Sequence, residues 1–248
     1  MAKVGSLRWV HVFVDVPDDV AEQTREFWSR ALCWPTGEPW EQHPEYTSLR
    51  PPEGDSYVHV QVIGDDARIH LDLVVDDLDE ARARVVALGS TAGTRAERWQ
   101  VMRSPGGLPF CLCLHPAGGI RPPGTAHEGG HRSRLAQVCI DAPAPLFDRE
   151  LEFWRQVTGW QTSRSGRPEF TDLVGPEDAT LQLLLQRLDD HDPGTTVRAH
   201  IDLGSDDRDA EAERLVGIGA HYVERFDGWI VLRDAAGLDF CVTGKSPE

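Results

Sequence analysis

The sequence predicts an α+β protein made of four tandem βαβββ units, paired into two copies of one domain. Three observations carry this reading: an internal repeat through most of the chain, a Pro/Gly-rich stretch between its copies, and a recurrent switch from strand-type to helix-type spacing. Val12-Phe-Val-Asp15-Val-Pro17 returns as Val138-Cys-Ile-Asp141-Ala-Pro143, and Glu26-Phe27-Trp28 as Glu152-Phe153-Trp154, both 126 residues on. Pro44-Glu45-Tyr46-Thr47 returns as Pro168-Glu169-Phe170-Thr171 at an offset of 124. After an insertion around Asp189 to Gly194, His70-Leu-Asp72-Leu73 returns 130 residues on as His200-Ile-Asp202-Leu203. Trp99 then pairs with Trp229, and Phe110-Cys111 with Phe240-Cys241. The copies are read as residues 5–116 and 134–245. The segment 117–133 between them is a linker, because it is dense in Pro and Gly and poor in apolar residues.

The elements of the first copy follow in order. Val10 to Val16 is a β-branched alternating run and reads as a strand. Asp18 or Asp19 offers an N-cap, and Val20, Phe27, Trp28 and Leu32 line one face of a helix. Tyr46 to Leu49 and Ser56 to Ile63 read as strands. The order restarts with a strand from Ile69 to Val75 and a helix capped by Asp77 or Asp79, which Gly89 ends as a C′ residue. Strands from Arg98 to Arg103 and from Pro109 to His115 close the copy. Trp28 and Trp154, recurring on the helices, are expected to pack helix on sheet.

Composition excludes several classes. With 41 acidic against 25 basic residues in 248, the formal net charge is −16. That balance, with no basic run, argues against nucleic acid and anionic membrane as partners. No window approaches a membrane-spanning apolar length, and Met1 to Arg8 lacks the apolar stretch of a secretion signal. The five cysteines form no C-x-x-C pair, which reads as reduced thiols in a cytoplasmic protein. G-x-S-x-G, P-loop and G-x-G-x-x-G patterns are absent. His115, and His127 and His131 in the linker, read as solvent-facing.

With His-x-Asp-Leu or His-Ile-Asp-Leu opening the second unit of each pair, and Gly107-Leu-Pro-Phe110-Cys111 and Gly237-Leu-Asp-Phe240-Cys241 closing it, the chain resembles the vicinal oxygen chelate superfamily. That superfamily includes glyoxalase I, extradiol dioxygenases and bleomycin-resistance proteins, and within it the chain is similar to tandem glyoxalase-like proteins. The resemblance implies two domains with curved mixed sheets and cup-shaped sites. Into the first cup it places His11, His59, His70 and Cys111, and into the second Gln137, Gln182, His200 and Cys241. Trp99 and Trp229 lie on strands beside the cups, and Trp40, Tyr46 and Tyr57 are rim contacts.

The family's metal enzymes carry Glu where this chain has Cys111 and Cys241, and a thiolate turns preference toward softer metals. Two functions follow from different classes. One is a protein that binds a small organic molecule in an aromatic-lined cup, in antibiotic or metabolite resistance. The alternative is a divalent-metal-dependent lyase, isomerase or dioxygenase that holds Zn, Ni or Fe on His11, His59 and His70. No catalytic residue is assigned by either. Tandem duplication implies a monomer or a homodimer.

Overall fold

The computed structural model describes residues 7, 9–114, 119–164, 166–192 and 194–248; the expectation for His115 falls outside them. The first unit runs β1 (Val10–Pro17), α1 (Asp18–Leu32), β2 (Thr36–Trp40), β3 (His43–Leu49) and β4 (Val58–Ile63). The second runs β5 (Arg68–Val74), α2 (Leu78–Ala87), β6 (Thr91–Arg95), β7 (Trp99–Arg103) and β8 (Pro109–Cys113). A short β9 (Thr125–Ala126) then pairs antiparallel with the next strand. The third unit runs β10 (Arg132–Ala142), α3 (Phe147–Thr158), β11 (Gln161–Arg164), β12 (Phe170–Val174) and β13 (Gln182–Arg187). The fourth runs β14 (Arg198–Ser205), α4 (Arg208–Gly217), β15 (His221–Arg225), β16 (Trp229–Arg233) and β17 (Asp239–Thr243). None of these helices is long and apolar enough to cross a membrane.

Within the units the strands order as β2-β3-β4-β1, β6-β7-β8-β5, β11-β12-β13-β10 and β15-β16-β17-β14. The first strand is parallel to the last in β1·β4, β5·β8 and β14·β17, and the helix supplies the long crossover that a parallel pair requires. The outermost strands β2, β6, β11 and β15 have no counterpart in the sequence reading. All but β2 are exposed along their whole length, so no alternation of burial marks them, and the partner strand decides their conformation. Asp77 caps α2 by accepting from Glu80 N–H at 2.9 Å, and Gly89 takes φ +99°, as expected. The cap expected at the start of α1 is absent: Pro17 holds that position without a side-chain bond. Asp18 and Asp19 sit in the first turn, where their charge complements the helix dipole.

Two compact units arise, and neither is a sequence copy. One combines residues 1–11, 70–119 and 138–199, the other 12–69, 120–137 and 200–248. Each therefore unites half of the first copy with half of the second. In the latter, Phe27 and Trp28 of α1 pack on Phe240 of β17 at ring centroid distances of 5.8 and 5.2 Å. The Trp28 indole N–H donates to the buried Asp234 carboxylate at 2.9 Å. Arg214 of α4 donates to the Ala31 carbonyl at 2.7 Å, placing a cation at the end of α1.

The other compact unit repeats this with a change of chemistry. Phe153 and Trp154 of α3 pack on Phe110 at 5.9 and 5.4 Å, and Arg84 of α2 donates to the Gln156 and Val157 carbonyls. Where Asp234 would recur stands Ser104, which has no carboxylate. Glu150 of α3 supplies the carboxylate instead, accepting from Trp154 Nε1 at 2.9 Å and from Gly106 N–H. Burial raises both the Glu150 and the Asp234 carboxyl above the usual carboxylate range.

Residues 120–133 of the linker are built into the second compact unit. Ile120 N–H donates to Asp55 at 2.7 Å, and Thr125 Oγ1 donates to the Leu32 carbonyl at 3.1 Å. The surface placement expected for His127 and His131 is overturned. Their side chains are only 3% and 5% exposed, and burial, with Arg214 nearby, pushes His127 down to about 4. A Pro/Gly composition describes how the backbone bends, not whether it is covered.

Trp28→Phe removes the indole donor and leaves Asp234 buried one bond short, so it costs about 1–3 kcal/mol in denaturant unfolding. A carboxyl raised by folding contributes stability that is full below its unfolded pKa and is lost as pH rises through the folded value. Glu150→Gln therefore flattens the fall in stability between mildly acid and neutral pH. A slope equal to that of the wild type would refute this assignment.

Candidate functional site

In the compact unit that holds β1 to β4, strand alternation gathers an aromatic wall. Phe13 and Asp15 point to one face of β1, and parallel pairing sets His59 beside Phe13 and Gln61 beside Asp15. Antiparallel pairing brings Ser48 beside His59 and Tyr46 beside Gln61. The Phe13 ring stacks on His59 at 4.6 Å, and Tyr46 meets it edge-on at 5.8 Å. Trp40 of β2 closes the wall at 5.1 Å from Tyr46 and 5.5 Å from His59. Polar handles line it: Trp40 Nε1 donates to Ser48 Oγ at 2.9 Å, His59 Nδ1 lies 2.9 Å from the same hydroxyl, and Gln61 donates to Tyr46 at 3.1 Å. Arg68 pairs with Asp15 at 3.2 Å. Phe13 and His59 form a buried floor, while Trp40 and Tyr46 are half-buried.

The compact unit that holds β5 to β8 carries a second arrangement. His70 and Asp72 lie two apart on β5, hence on one face, and Cys111 of the parallel β8 lies opposite Asp72. His70 Nε2 is 3.3 Å from Asp72 Oδ1, and the ligand atoms of the three residues lie within 4.8 Å of one another. Burial, then the Asp72 charge, pushes the Cys111 thiol up to about 12. Trp99 shares this face, two residues from Val101, which pairs with Cys111. His11, also in this compact unit, meets Trp9 edge-on at 6.1 Å.

The same pattern recurs in the other compact unit with His200, Asp202 and Cys241. His200 Nε2 is 3.3 Å from Asp202 Oδ1, and Asp202 lies opposite Cys241. Here Gln137, with its amide oriented to satisfy both partners, donates to Asp202 Oδ2 at 2.9 Å and accepts from Lys245 Nζ at 2.7 Å. The Trp229 ring stacks on Phe226 at 4.7 Å.

Of the imidazoles named from sequence, His11 and His70 belong to one compact unit and His59 to the other. The sequence alignment set Gln182 against His59, but the register sets Leu184 there. Leu184 pairs with Asp172 as His59 pairs with Ser48, and Gln182 accepts from Gly175 N–H at 2.8 Å. Tyr57, expected at the rim, is fully buried and donates to the Leu135 carbonyl at 2.6 Å. Sequence reasoning missed Phe13, Asp72 and Asp202 as site residues. Their signal was present, since residues two apart on a strand share a face.

Four βαβββ units in tandem define a protein of the vicinal oxygen chelate class. The chain belongs to the glyoxalase-like domain family, whose model matches residues 11–113 and 137–243. No curated protein sequence matches it. Among solved structures it is similar to BphC, a halotolerant catechol dioxygenase, at 15% identity and TM-score 0.61, covering 96% of this chain and 87% of that one. It is also similar to 2,2′,3-trihydroxybiphenyl 1,2-dioxygenase from Sphingomonas wittichii strain RW1, at 14% identity and TM-score 0.62, covering 96% and 90%. An extradiol ring-cleaving dioxygenase from B. fuscum matches at 12% identity and TM-score 0.63, covering 97% and 72%. At these identities the likeness is one of fold.

A thiol held far above its ordinary pKa is a poor nucleophile. Iodoacetamide is therefore expected to label exposed Cys33 in the native protein and to spare Cys111, which reacts only after unfolding. Peptide mass spectrometry reads the outcome, and rapid native labelling of Cys111 would contradict a thiol held this high.

Proposed function

We propose that the protein binds a small, flat, aromatic organic molecule against the wall formed by Phe13, Trp40, Tyr46 and His59, and serves to sequester it, as in antibiotic or metabolite resistance. The observation that carries this reading is the wall itself, four rings on one sheet face with hydroxyl and amide groups at their edges. Such a surface offers stacking area together with donors and acceptors that orient a ring substituent. Two of the structures of like fold are named for hydroxylated aromatic compounds, the ligand shape this wall suits. A reducing, cytoplasmic setting would suit the free thiols.

A second reading, a divalent-metal-dependent lyase, isomerase or dioxygenase, is favoured by the nearness of His70, Asp72 and Cys111. Their nitrogen, oxygen and sulfur donors fit Zn better than they fit an oxygen-rich iron centre. When bound there, such an ion would polarise a substrate oxygen or acidify a water. In that reading His70 and Asp72 orient one another, Cys111 supplies the soft donor, and His11, in the same compact unit, is a further imidazole that the resemblance implies.

Titration with a panel of hydroxylated aromatic compounds is expected to give a saturable quench of tryptophan fluorescence. Trp40→Ala weakens the affinity about tenfold, on the order of the energy of one stacked ring. An unchanged affinity in that variant removes the wall from the binding site. Elemental analysis of untagged protein decides the second reading: metal present at one equivalent and absent from His70→Ala supports it, and no metal after reconstitution sinks it.

A further inference from the structure

The two linker histidines meet a third donor far along the chain. His127 and His131 close the β9–β10 hairpin, with His127 N–H donating to the His131 carbonyl and Gly130 N–H to the His127 carbonyl, each at 2.9 Å. Gly130 takes φ +87°, which the turn needs. The two imidazole rings lie 4.8 Å apart. Both present Nε2 to one oxygen of Glu211 in α4, at 2.8 Å from His131 and 3.7 Å from His127. The Glu211 side chain is 0% exposed, and the three ligand atoms lie within 4.8 Å of one another.

Glu211 Oε2 accepts from Arg214 Nε at 2.7 Å and lies 2.8 Å from His131 Nε2, while His127 Nε2, 3.7 Å away, has Ser133 Oγ as its nearer partner. A cation between the two Nε2 atoms and Oε2 would use both imidazole lone pairs and leave Arg214 as the carboxylate's hydrogen-bond partner. Tetrahedral zinc, with bonds of about 2.0–2.1 Å, sets its ligand atoms about 3.3 Å apart. The two Nε2–Oε2 separations straddle that value. The surrounding groups are those an ion of this kind keeps. Arg214 Nη2 holds Glu211 Oε1 at 2.8 Å, Cys33 Sγ lies 3.9 Å from His127 Nδ1, and Ser133 Oγ, 2.8 Å from His127 Nε2, is a fourth donor atom in reach.

We propose that His127, His131 and Glu211 form a structural zinc-type site that ties the linker hairpin to α4. The spacing His127-Glu128-Gly-Gly-His131 matches that of helical zinc motifs, but here it lies on a hairpin with Glu128 exposed. Glu128 is thus no general base, and burial closes the ion from substrate.

Untagged protein, stripped with a chelator and titrated with Co2+, reads the site by its spectrum. One equivalent is expected to bind with tetrahedral d–d bands and no thiolate charge-transfer band, unchanged in His70→Ala and lost in the His127→Gln, His131→Gln double variant. A site at Cys111 would show the charge-transfer band and vanish in His70→Ala. Zinc added to the stripped wild type is expected to slow amide hydrogen exchange across residues 124–133 at least tenfold, a readout that stands even where the double variant does not fold. Exchange in 124–133 that zinc leaves unchanged, or the absence of a thiolate-free cobalt spectrum from His70→Ala, overturns the proposal.

Discussion

Each helix that carries a large indole must give that indole both an apolar bed and a partner for its N–H, and in this protein the bed comes from the other sequence copy. Trp28 and Trp154 are almost wholly buried, so each indole N–H needs an acceptor inside the protein. Asp234 meets Trp28 from the β16–β17 turn, and Glu150 meets Trp154 while bonding Gly106 in the β7–β8 turn. A helix bound in this way cannot slide along its sheet. The strands that flank it, β1 and β4 among them, keep the register that sets His59 beside Phe13.

The two copies hold the same frame with different side chains, and the differences show which positions are free to vary. Ser104 replaces the carboxylate of Asp234, and the loss is offset by Glu150 one helical turn before Trp154. On the opposite sheet face no such offset exists. The second copy has Cys139 and Leu184 where the first has Phe13 and His59, so the stacked pair is missing. Its Asp202 is engaged by Gln137, which also holds Lys245. The first copy thereby carries the stacked aromatic wall, while the second carries a polar network at the positions matching His11 and Asp72.

Both His-x-Asp pairs owe their geometry to the two-residue period of a strand and to parallel pairing with the strand that bears the cysteine. Parallel neighbours put facing side chains on one side of the sheet, so an imidazole, a carboxylate and a thiol converge without a loop to aim them. Desolvation of the thiol, with the Asp72 charge beside it, raises the Cys111 pKa although the residue as a whole is only part-buried.

Family resemblance put forward His70, His200, Cys111 and Cys241, and the sequence by itself determined the tandem βαβββ plan, the positions of the inner strands and helices, and the buried role of Trp28 and Trp154. These rest on local periodicity and on repetition, which a single chain displays. The exposed strands β2, β6, β11 and β15 were illegible because neighbouring strands, not their own residues, hold them extended. Tertiary structure alone decided that halves of different copies pack together, that Leu184 rather than Gln182 matches His59, that Trp40 joins Phe13 and Tyr46, and that His127 and His131 are buried against Glu211. Each of these joins residues distant in sequence, and composition or spacing cannot encode which distant partner covers a given side chain.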